Sequence, residues 1–120
     1  MSRDHRKLRV FQLADELVEQ VYRVSGEFPA SERYTLKVQL RRAALSTACN
    51  IVEGSARRST KEYLGFLNIA AGSAAETRYL VELSCRLKFI DAAIGEPLVN
   101  RYTQLCAQLH ALISSLSPEP

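Results

Sequence analysis

Nonpolar residues recur at three- and four-residue steps in four segments of this chain, and that spacing constrains the fold more than any other feature. It is the period of an α-helix that hides one face, and no segment shows the alternation of a half-buried strand. The four stripes consist of Val10, Leu13, Leu17, Val21 and Val24; Leu36, Leu40, Ala43, Ala44, Thr47 and Ile51; Leu64, Leu67, Ala70, Ala71, Ala74, Leu80, Val81, Leu83 and Leu87; and Leu98, Tyr102, Leu105, Leu109, Leu112 and Leu116. Helices are therefore predicted over about residues 5–24, 32–57, 60–88 and 92–116. Long helices joined by short loops predict an all-α fold, an antiparallel up-down-up-down four-helix bundle forming a single domain over residues 1–120.

Local signals place the ends of the first two helices. Gly26 and Pro29 are expected to end the first helix, because glycine accepts a left-handed terminal turn and proline lacks the donor that would continue it. Ser31 is predicted to cap the second helix, and Gly54 is expected to loosen its last turns.

The third and fourth helices carry different start signals. Ser59 and Glu62 have the Ser-x-x-Glu spacing of a capping box, so the third helix is predicted to begin there. Two starts stay open for the fourth helix: either Asp91 is its cap, or Pro97 occupies the first helical position after an irregular turn.

Two helices have features that a single buried face does not explain. Val38, Leu45 and Val52 form a second nonpolar line on helix 2, which indicates contacts on two sides. Residues 72–75 of helix 3 are Gly-Ser-Ala-Ala, and a mid-helix glycine costs roughly 1 kcal/mol relative to alanine. The run predicts a closely approaching backbone at that level, with simple tolerance of a poor helix former as the alternative.

The compartment follows from what the sequence lacks. No nonpolar run approaches the roughly 20 residues of a membrane span, and the charged first residues do not resemble a secretory signal, so a cytoplasmic protein without membrane contact is expected. Cys49, Cys85 and Cys106 are odd in number and widely spaced, which predicts reduced thiols in the core.

Motifs for catalysis or metal binding are absent from the sequence. Neither His5 nor His110 has a glutamate three residues before it, as a di-iron bundle requires. No glycine-rich phosphate loop or nucleophile elbow occurs. We therefore expect no catalytic residue, no metal, no cofactor and no enzymatic activity.

Four polar residues, Arg42, Ser46, Asn50 and Glu53, lie three to four apart along helix 2 and are defined here as the polar seam. One interpretation is a solvated face or hydrogen bonding within the helix. The favoured one is a polar network at a contact between helices or subunits, where it sets the register.

Basic residues are concentrated in the first half of the chain, with 12 Lys and Arg against 7 Asp and Glu up to Lys61 and 4 against 6 after it. Two groups stand out on and after helix 2 and are predicted to contact nucleic-acid phosphates: Arg33, Lys37 and Arg41 at four-residue spacing, and Arg57, Arg58 and Lys61 at the following turn. Binding of this kind releases counterions and weakens with salt. A solvated face balanced by acids such as Glu27 and Glu32 is the competing explanation.

Several segments resemble one family of helical proteins. They are Leu8-x-Val10-Phe11, Phe28-Pro29 with Glu32-Arg33, Gln39-Leu40, Arg42-Ala43 with Ser46, the run from Asn50 to Gly54, and the run from Gly72 to Glu76. The chain is similar to the proteins encoded in intervening sequences of bacterial large-subunit ribosomal RNA genes, a family that includes relatives of the accessory variability protein of diversity-generating retroelements.

That resemblance, which covers nearly the whole chain, implies a four-helix bundle that assembles into a ring-shaped homopentamer. It also implies a basic surface for nucleic acid and, in retroelement relatives, a reverse transcriptase and RNA as partners. The leading hypothesis is a non-enzymatic, oligomeric bundle that binds RNA or DNA weakly through its basic face. The alternative is a protein–protein interaction scaffold with no nucleic-acid role.

Overall fold

Residues 3–117 are described by the structure, a computed structural model, and they form four α-helices without any strand. The helices are α1 (Arg9–Ser25), α2 (Leu36–Ser55), α3 (Thr60–Arg86) and α4 (Ala92–Leu116), with short 3₁₀ turns at His5–Lys7 and Ala30–Glu32. Each helix packs on the next in the chain and α4 packs back on α1, in a rod of 45 × 23 × 23 Å. The predicted antiparallel up-down-up-down bundle is confirmed.

The core consists of the inward positions of the four predicted stripes. Leu17, Leu40, Leu67 and Leu105, one from each helix, are completely buried. Burying a leucine side chain stabilises a fold by about 1.5–3 kcal/mol. Most of the stability of such helices in proteins comes from packing of their nonpolar faces, so the shared core holds all four together.

The first helix is shorter at its start than predicted and ends differently. Asp4 accepts a hydrogen bond from the Arg6 backbone N–H at 3.1 Å and caps a 3₁₀ turn, so α1 begins only at Arg9. Gly26 ends α1 with right-handed dihedrals, φ −60° and ψ −27°. The left-handed turn predicted there is wrong, and within residues 3–117 no glycine has a positive φ.

The second helix begins at Leu36, so the predicted Ser31 cap is wrong. The Thr35 hydroxyl donates to Glu32 Oε1 at 2.7 Å, and the Thr35 backbone, at φ −119° and ψ −99°, interrupts the helical path. A local bond from a Thr side chain competes in this way with helix formation, and the pattern of nonpolar residues does not reveal it.

The third helix begins as predicted and ends without glycine. The Glu62 backbone N–H donates to Ser59 Oγ at 3.1 Å, which confirms the capping signal. At the other end, Lys88 has φ 68° and the Phe89 N–H donates to the Ser84 carbonyl at 2.9 Å. This is a Schellman motif with lysine in the position that usually holds glycine.

Asp91 caps the fourth helix, which resolves the two open alternatives. Its Oδ1 accepts from the Ala93 N–H at 3.2 Å, and Pro97 lies inside α4. Proline cannot donate to the Ala93 carbonyl, and exposed Ala93 leaves that carbonyl within reach of water.

The close backbone approach predicted at residues 72–75 does not depend on Gly72. Gly72 is exposed, and a Cβ there would meet nothing within 4 Å. A Cβ on Gly54 would lie 2.9 Å from Phe66 Cβ, and one on Gly95 would overlap Cys85 Sγ. Gly54 thus brings α2 against α3 and Gly95 brings α4 against α3, so the expectation that Gly54 merely loosens its helix is wrong.

Alanine substitutions at two helical glycines should have opposite effects on the free energy of unfolding. Gly72→Ala is expected to raise it by about 0.5–1 kcal/mol, because the site is open and alanine is the better helix former. Gly95→Ala is expected to lower it by about 1–3 kcal/mol, because the new methyl group overpacks the contact with Cys85. Urea denaturation followed by circular dichroism measures both.

Cys85→Ala supplies the control for the overpacking. In that background the penalty of Gly95→Ala should shrink, since the overlapping sulfur is gone. An unchanged penalty would contradict the assigned contact between α3 and α4.

Candidate nucleic-acid interface

The six residues predicted to contact phosphates do not form one surface. Helix α2 has 20 residues and is therefore about 30 Å long. Arg33, Lys37 and Arg41 lie before or within its first two turns, whereas Arg57, Arg58 and Lys61 follow its last turn. The structure therefore places the two groups at opposite ends of the bundle.

Arg41 is engaged within the fold. Its Nε donates to Ser25 Oγ at 2.7 Å and its Nη2 donates to the Tyr22 carbonyl at 3.1 Å. The guanidinium also lies over the Tyr22 ring, 4.3 Å from the centroid. Arg41 thus places a positive charge at the carboxyl end of α1, where helix carbonyls lack partners, and joins α1 to α2.

The end of the bundle that holds Arg33 and Lys37 is nearly neutral. We call this end, where the helices flank the α1–α2 and α3–α4 turns, the opposite end, because it lies across the rod from the α2–α3 turn. Its basic residues are Arg23, Arg33, Lys37, Arg41, Arg86 and Lys88, and its acidic residues are Glu27, Glu32, Glu82, Asp91 and Glu96. Mixed charge of this kind gives little net attraction for a polyanion.

Positive charge is concentrated where the start of the chain meets the α2–α3 turn, defined here as the basic end. Among residues 3–117, seven basic residues lie there, Arg3, Arg6, Lys7, Arg9, Arg57, Arg58 and Lys61, with three acidic ones, Asp4, Glu53 and Glu62. The Arg3 N–H donates to the Ser55 carbonyl at 2.7 Å, and its guanidinium lies 4.1 Å from the Tyr63 ring centroid. These contacts bring the two basic segments together, which the sequence pattern alone did not indicate.

Most of the basic side chains at this end have no acidic partner. Asp4 pairs with Arg6 at 3.0 Å, and hydrogen bonds from Arg6 lower the pKa of the Asp4 carboxyl. Glu62 accepts a hydrogen bond from the Ser59 hydroxyl at 3.1 Å. Among residues 3–117 no carboxylate lies within 4.0 Å of the exposed side-chain charges of Lys7, Arg9, Arg57, Arg58 and Lys61. Unpaired, exposed cations are available to phosphates.

The polar seam has both a hydrogen bond within its own helix and one to a neighbouring helix. Ser46 Oγ lies 2.8 Å from Ser73 Oγ, a hydrogen bond that joins α2 to α3. Asn50 Nδ2 donates back along its own helix to the Ser46 carbonyl at 2.8 Å. Arg42 and Glu53 are exposed, so a contact between helices involves only the middle of the seam.

Two helices keep nonpolar side chains on their outer faces. The outer stripe of α2 consists of Val38, Arg42, Leu45 and Cys49, and the outer stripe of α3 of Gly65, Ile69, Gly72, Glu76 and Tyr79. Leu45 is 40% exposed, Ile69 54% and Tyr79 53%. By contrast, α1 presents Asp15, Glu16 and Glu19 to solvent. Of the second nonpolar line predicted on α2, Val38 and Leu45 are thus still exposed and Val52 is half-buried within the described part of the chain.

Two of the three cysteine thiols and one buried phenol are kept in their neutral forms. Burial raises the pKa of the Cys85 and Cys106 thiols, which disfavours the nucleophilic thiolate. Burial also raises the pKa of the Tyr102 phenol, so that side chain stays neutral. Cys49 is exposed, and the prediction that all three cysteines lie in the core is wrong for it.

Residues 3–117 contain neither a cluster of metal-binding side chains nor a helix suited to spanning a membrane. No group of three His, Cys, Asp or Glu side chains is placed where it could hold a metal ion. No helix in that range is long and nonpolar enough to cross a membrane.

Comparison with known proteins identifies a family and a solved structure with a similar fold. The family described as 23S rRNA-intervening sequence protein matches residues 6–111. A solved structure from Bacteroides thetaiotaomicron, described as a protein with unknown function from the S23 ribosomal protein family, is 25% identical with a TM-score of 0.80. The match covers 87% of this chain and 97% of that one. Among curated proteins none matches significantly. Neither description names a reaction.

The contacts of Arg41 predict a structural role that its neighbour Lys37 does not share. Arg41→Ala should lower the free energy of unfolding by about 1–2 kcal/mol, because two charge-assisted hydrogen bonds are lost at a half-buried site. Lys37→Ala should change it by no more than about 0.5 kcal/mol. Thermal or urea denaturation compares the two variants, and equal stability would refute the role assigned to Arg41.

Proposed function

We propose, from the premise that the chain belongs to the family of 23S rRNA-intervening sequence proteins, that it is a non-enzymatic accessory protein that binds RNA or DNA weakly. The binding site in this proposal is the basic end. The observation that carries it is the meeting of two basic segments on one tip of a rod 23 Å wide, where the described part of the chain places seven basic residues against three acidic ones.

Electrostatics supports this site over the rest of the surface. Phosphate backbones attract unpaired cations, and the entropy of released counterions supplies much of the affinity. Lys7, Arg9, Arg57, Arg58 and Lys61 supply such cations. Arg41 is bonded within the fold, and Arg33 and Lys37 share their end with acids, so these three contribute little to binding in the proposal.

Self-association completes the proposal. We infer a homo-oligomer, a ring-shaped pentamer as the family resemblance implies, whose contacts involve the outer stripes of α2 and α3. In any closed ring the subunits are related by rotation, so all basic ends lie at the same height along the axis. Several weak sites on one molecule then act together and raise the overall affinity.

Two further expectations from the sequence belong to this proposal. A reverse transcriptase as partner follows only from the resemblance to retroelement relatives. A cytoplasmic location agrees with three cysteines that are all free, since reducing compartments keep thiols unpaired.

The two ends of the bundle provide a matched pair of variants for binding. Replacing Arg57, Arg58 and Lys61 with Gln should weaken binding of a 30-nucleotide RNA hairpin and reduce the slope of log K against log salt by about 2–3. Replacing Arg33, Lys37 and Lys88 with Gln removes the same charge from the opposite end and should leave the slope nearly unchanged. Fluorescence anisotropy measures both, with circular dichroism as the folding control.

Two results would count against nucleic-acid binding at the basic end. One is the absence of any retained RNA or DNA at low salt. The other is an equal loss of affinity in the two triple variants, since that would mean the whole net charge is responsible.

A protein-interaction scaffold is the second candidate, favoured by the nonpolar outer stripes of α2 and α3. On this reading the stripes receive a partner protein and the basic residues only maintain solubility. Pull-down with and without nuclease separates the candidates, because a protein partner survives nuclease whereas an RNA-bridged one does not.

The outer stripe of α2 predicts the effect of charge on assembly. Wild-type protein should show about five times the 13.4 kDa mass of one chain by light scattering. The variant with Val38→Glu and Leu45→Glu should shift toward the single-chain mass, because buried carboxylates at a subunit contact cost several kcal/mol. Asn100→Glu with Ala107→Glu, at the same seven-residue spacing on the exposed face of α4, is the control. If the wild-type protein has the mass of a single chain, the proposed oligomer is wrong.

A further inference from the structure

We infer that the basic end recognises the double-helical phosphate backbone and discriminates against single strands. This inference rests on the proposed function, and it names the class of nucleic acid that the same site accepts. Its basis is that the basic end presents exposed cations, whereas each aromatic ring near it already contacts another side chain of the protein.

Every aromatic ring near the basic end already has a partner within the chain. Tyr63 is 1% exposed, and the guanidinium of Arg3 covers its ring. Phe66 is half-buried beneath the guanidinium of Arg57, 4.8 Å from the ring centroid. The Phe11 ring packs edge-on against His5, with the centroids 4.7 Å apart.

The exposed tyrosines lie too far away to serve this site. Tyr34 belongs to the opposite end, and Tyr79 lies 19 residues after the start of α3, about 28 Å along that helix. Proteins that hold single strands stack successive bases on aromatic side chains, at about 1–3 kcal/mol per base. The basic end therefore lacks this stacking contribution to the affinity for single strands.

The exposed cations of the basic end suit the high phosphate charge density of a double helix. Duplex DNA carries about one phosphate charge per 1.7 Å of axis, about twice the density along one of its strands. The Arg57 guanidinium lies 4.8 Å from the Phe66 ring centroid and the residue stays exposed, so Arg57 covers the ring while its charge can still reach phosphate oxygens.

The shape of the end confines contacts to the backbone. A bundle 23 Å wide does not enter a major groove of about 12 Å, so it meets the phosphates that border the groove. The nearby amides are also engaged: Gln12 Nε2 donates to the Arg6 carbonyl and Asn68 Nδ2 to the Leu64 carbonyl, each at 2.9 Å. Binding at this end is therefore independent of base sequence.

The test compares 20-base-pair RNA and DNA duplexes with the unstructured single strand oligo-U of 40 nucleotides, which holds the same number of nucleotides. At 50 mM KCl, fluorescence anisotropy should give at least about tenfold tighter binding to either duplex than to oligo-U. The two duplexes should agree within about threefold. Oligo-U binding as tight as duplex binding would overturn the inference while leaving nucleic-acid binding intact, whereas no binding of any probe would overturn both.

A matched pair of variants tests whether coverage of the Phe66 ring by Arg57 contributes to the preference for duplex. Arg57→Ala removes one charge and uncovers Phe66, so the preference for duplex over oligo-U should narrow about threefold or more. Arg58→Ala removes the same charge without uncovering a ring, and it should weaken both probes while leaving their ratio unchanged. An identical ratio in the two variants would contradict the role of the arginine that covers Phe66.

Discussion

The burial of one nonpolar face from each of four helices is the interaction on which the rest of the structure depends. Leu17, Leu40, Leu67 and Leu105 meet in a core that none of the helices could provide alone. Because the helices pack side by side in a rod, their termini are grouped at its two ends and the outer face of each helix is turned toward solvent. The candidate site at one tip and the nonpolar stripes on α2 and α3 are both consequences of that packing.

Sequence periodicity predicted the helices because it reports burial, which dominates the energy of folding. It predicted α3 and the bundle well and failed at the turns. The start of α2 depends on the hydrogen bond between Thr35 and Glu32, and the close approaches of helices occur at Gly54 and Gly95 instead of Gly72. Contacts of this kind involve a few atoms each and leave no periodic signal.

The candidate site shows a related limit of sequence reasoning. Spacing along α2 identified basic side chains but said nothing about the acids that other helices bring beside them. It also missed the bond between Arg41 and Ser25, residues 16 apart in the chain, and the one between Arg3 and Ser55. The distribution of charge over the two ends of the rod depends on how the chain folds. It could not be inferred from the resemblance to a family.

The left-handed backbone of Lys88 restricts which residues can follow α3. A side chain with a branched Cβ clashes with its own backbone at φ 68°, whereas glycine and asparagine accept that angle readily. Valine, isoleucine and threonine should therefore be rejected at this position even though it is exposed to water. Solvent exposure and freedom to vary are thus separate properties at the junction between α3 and α4.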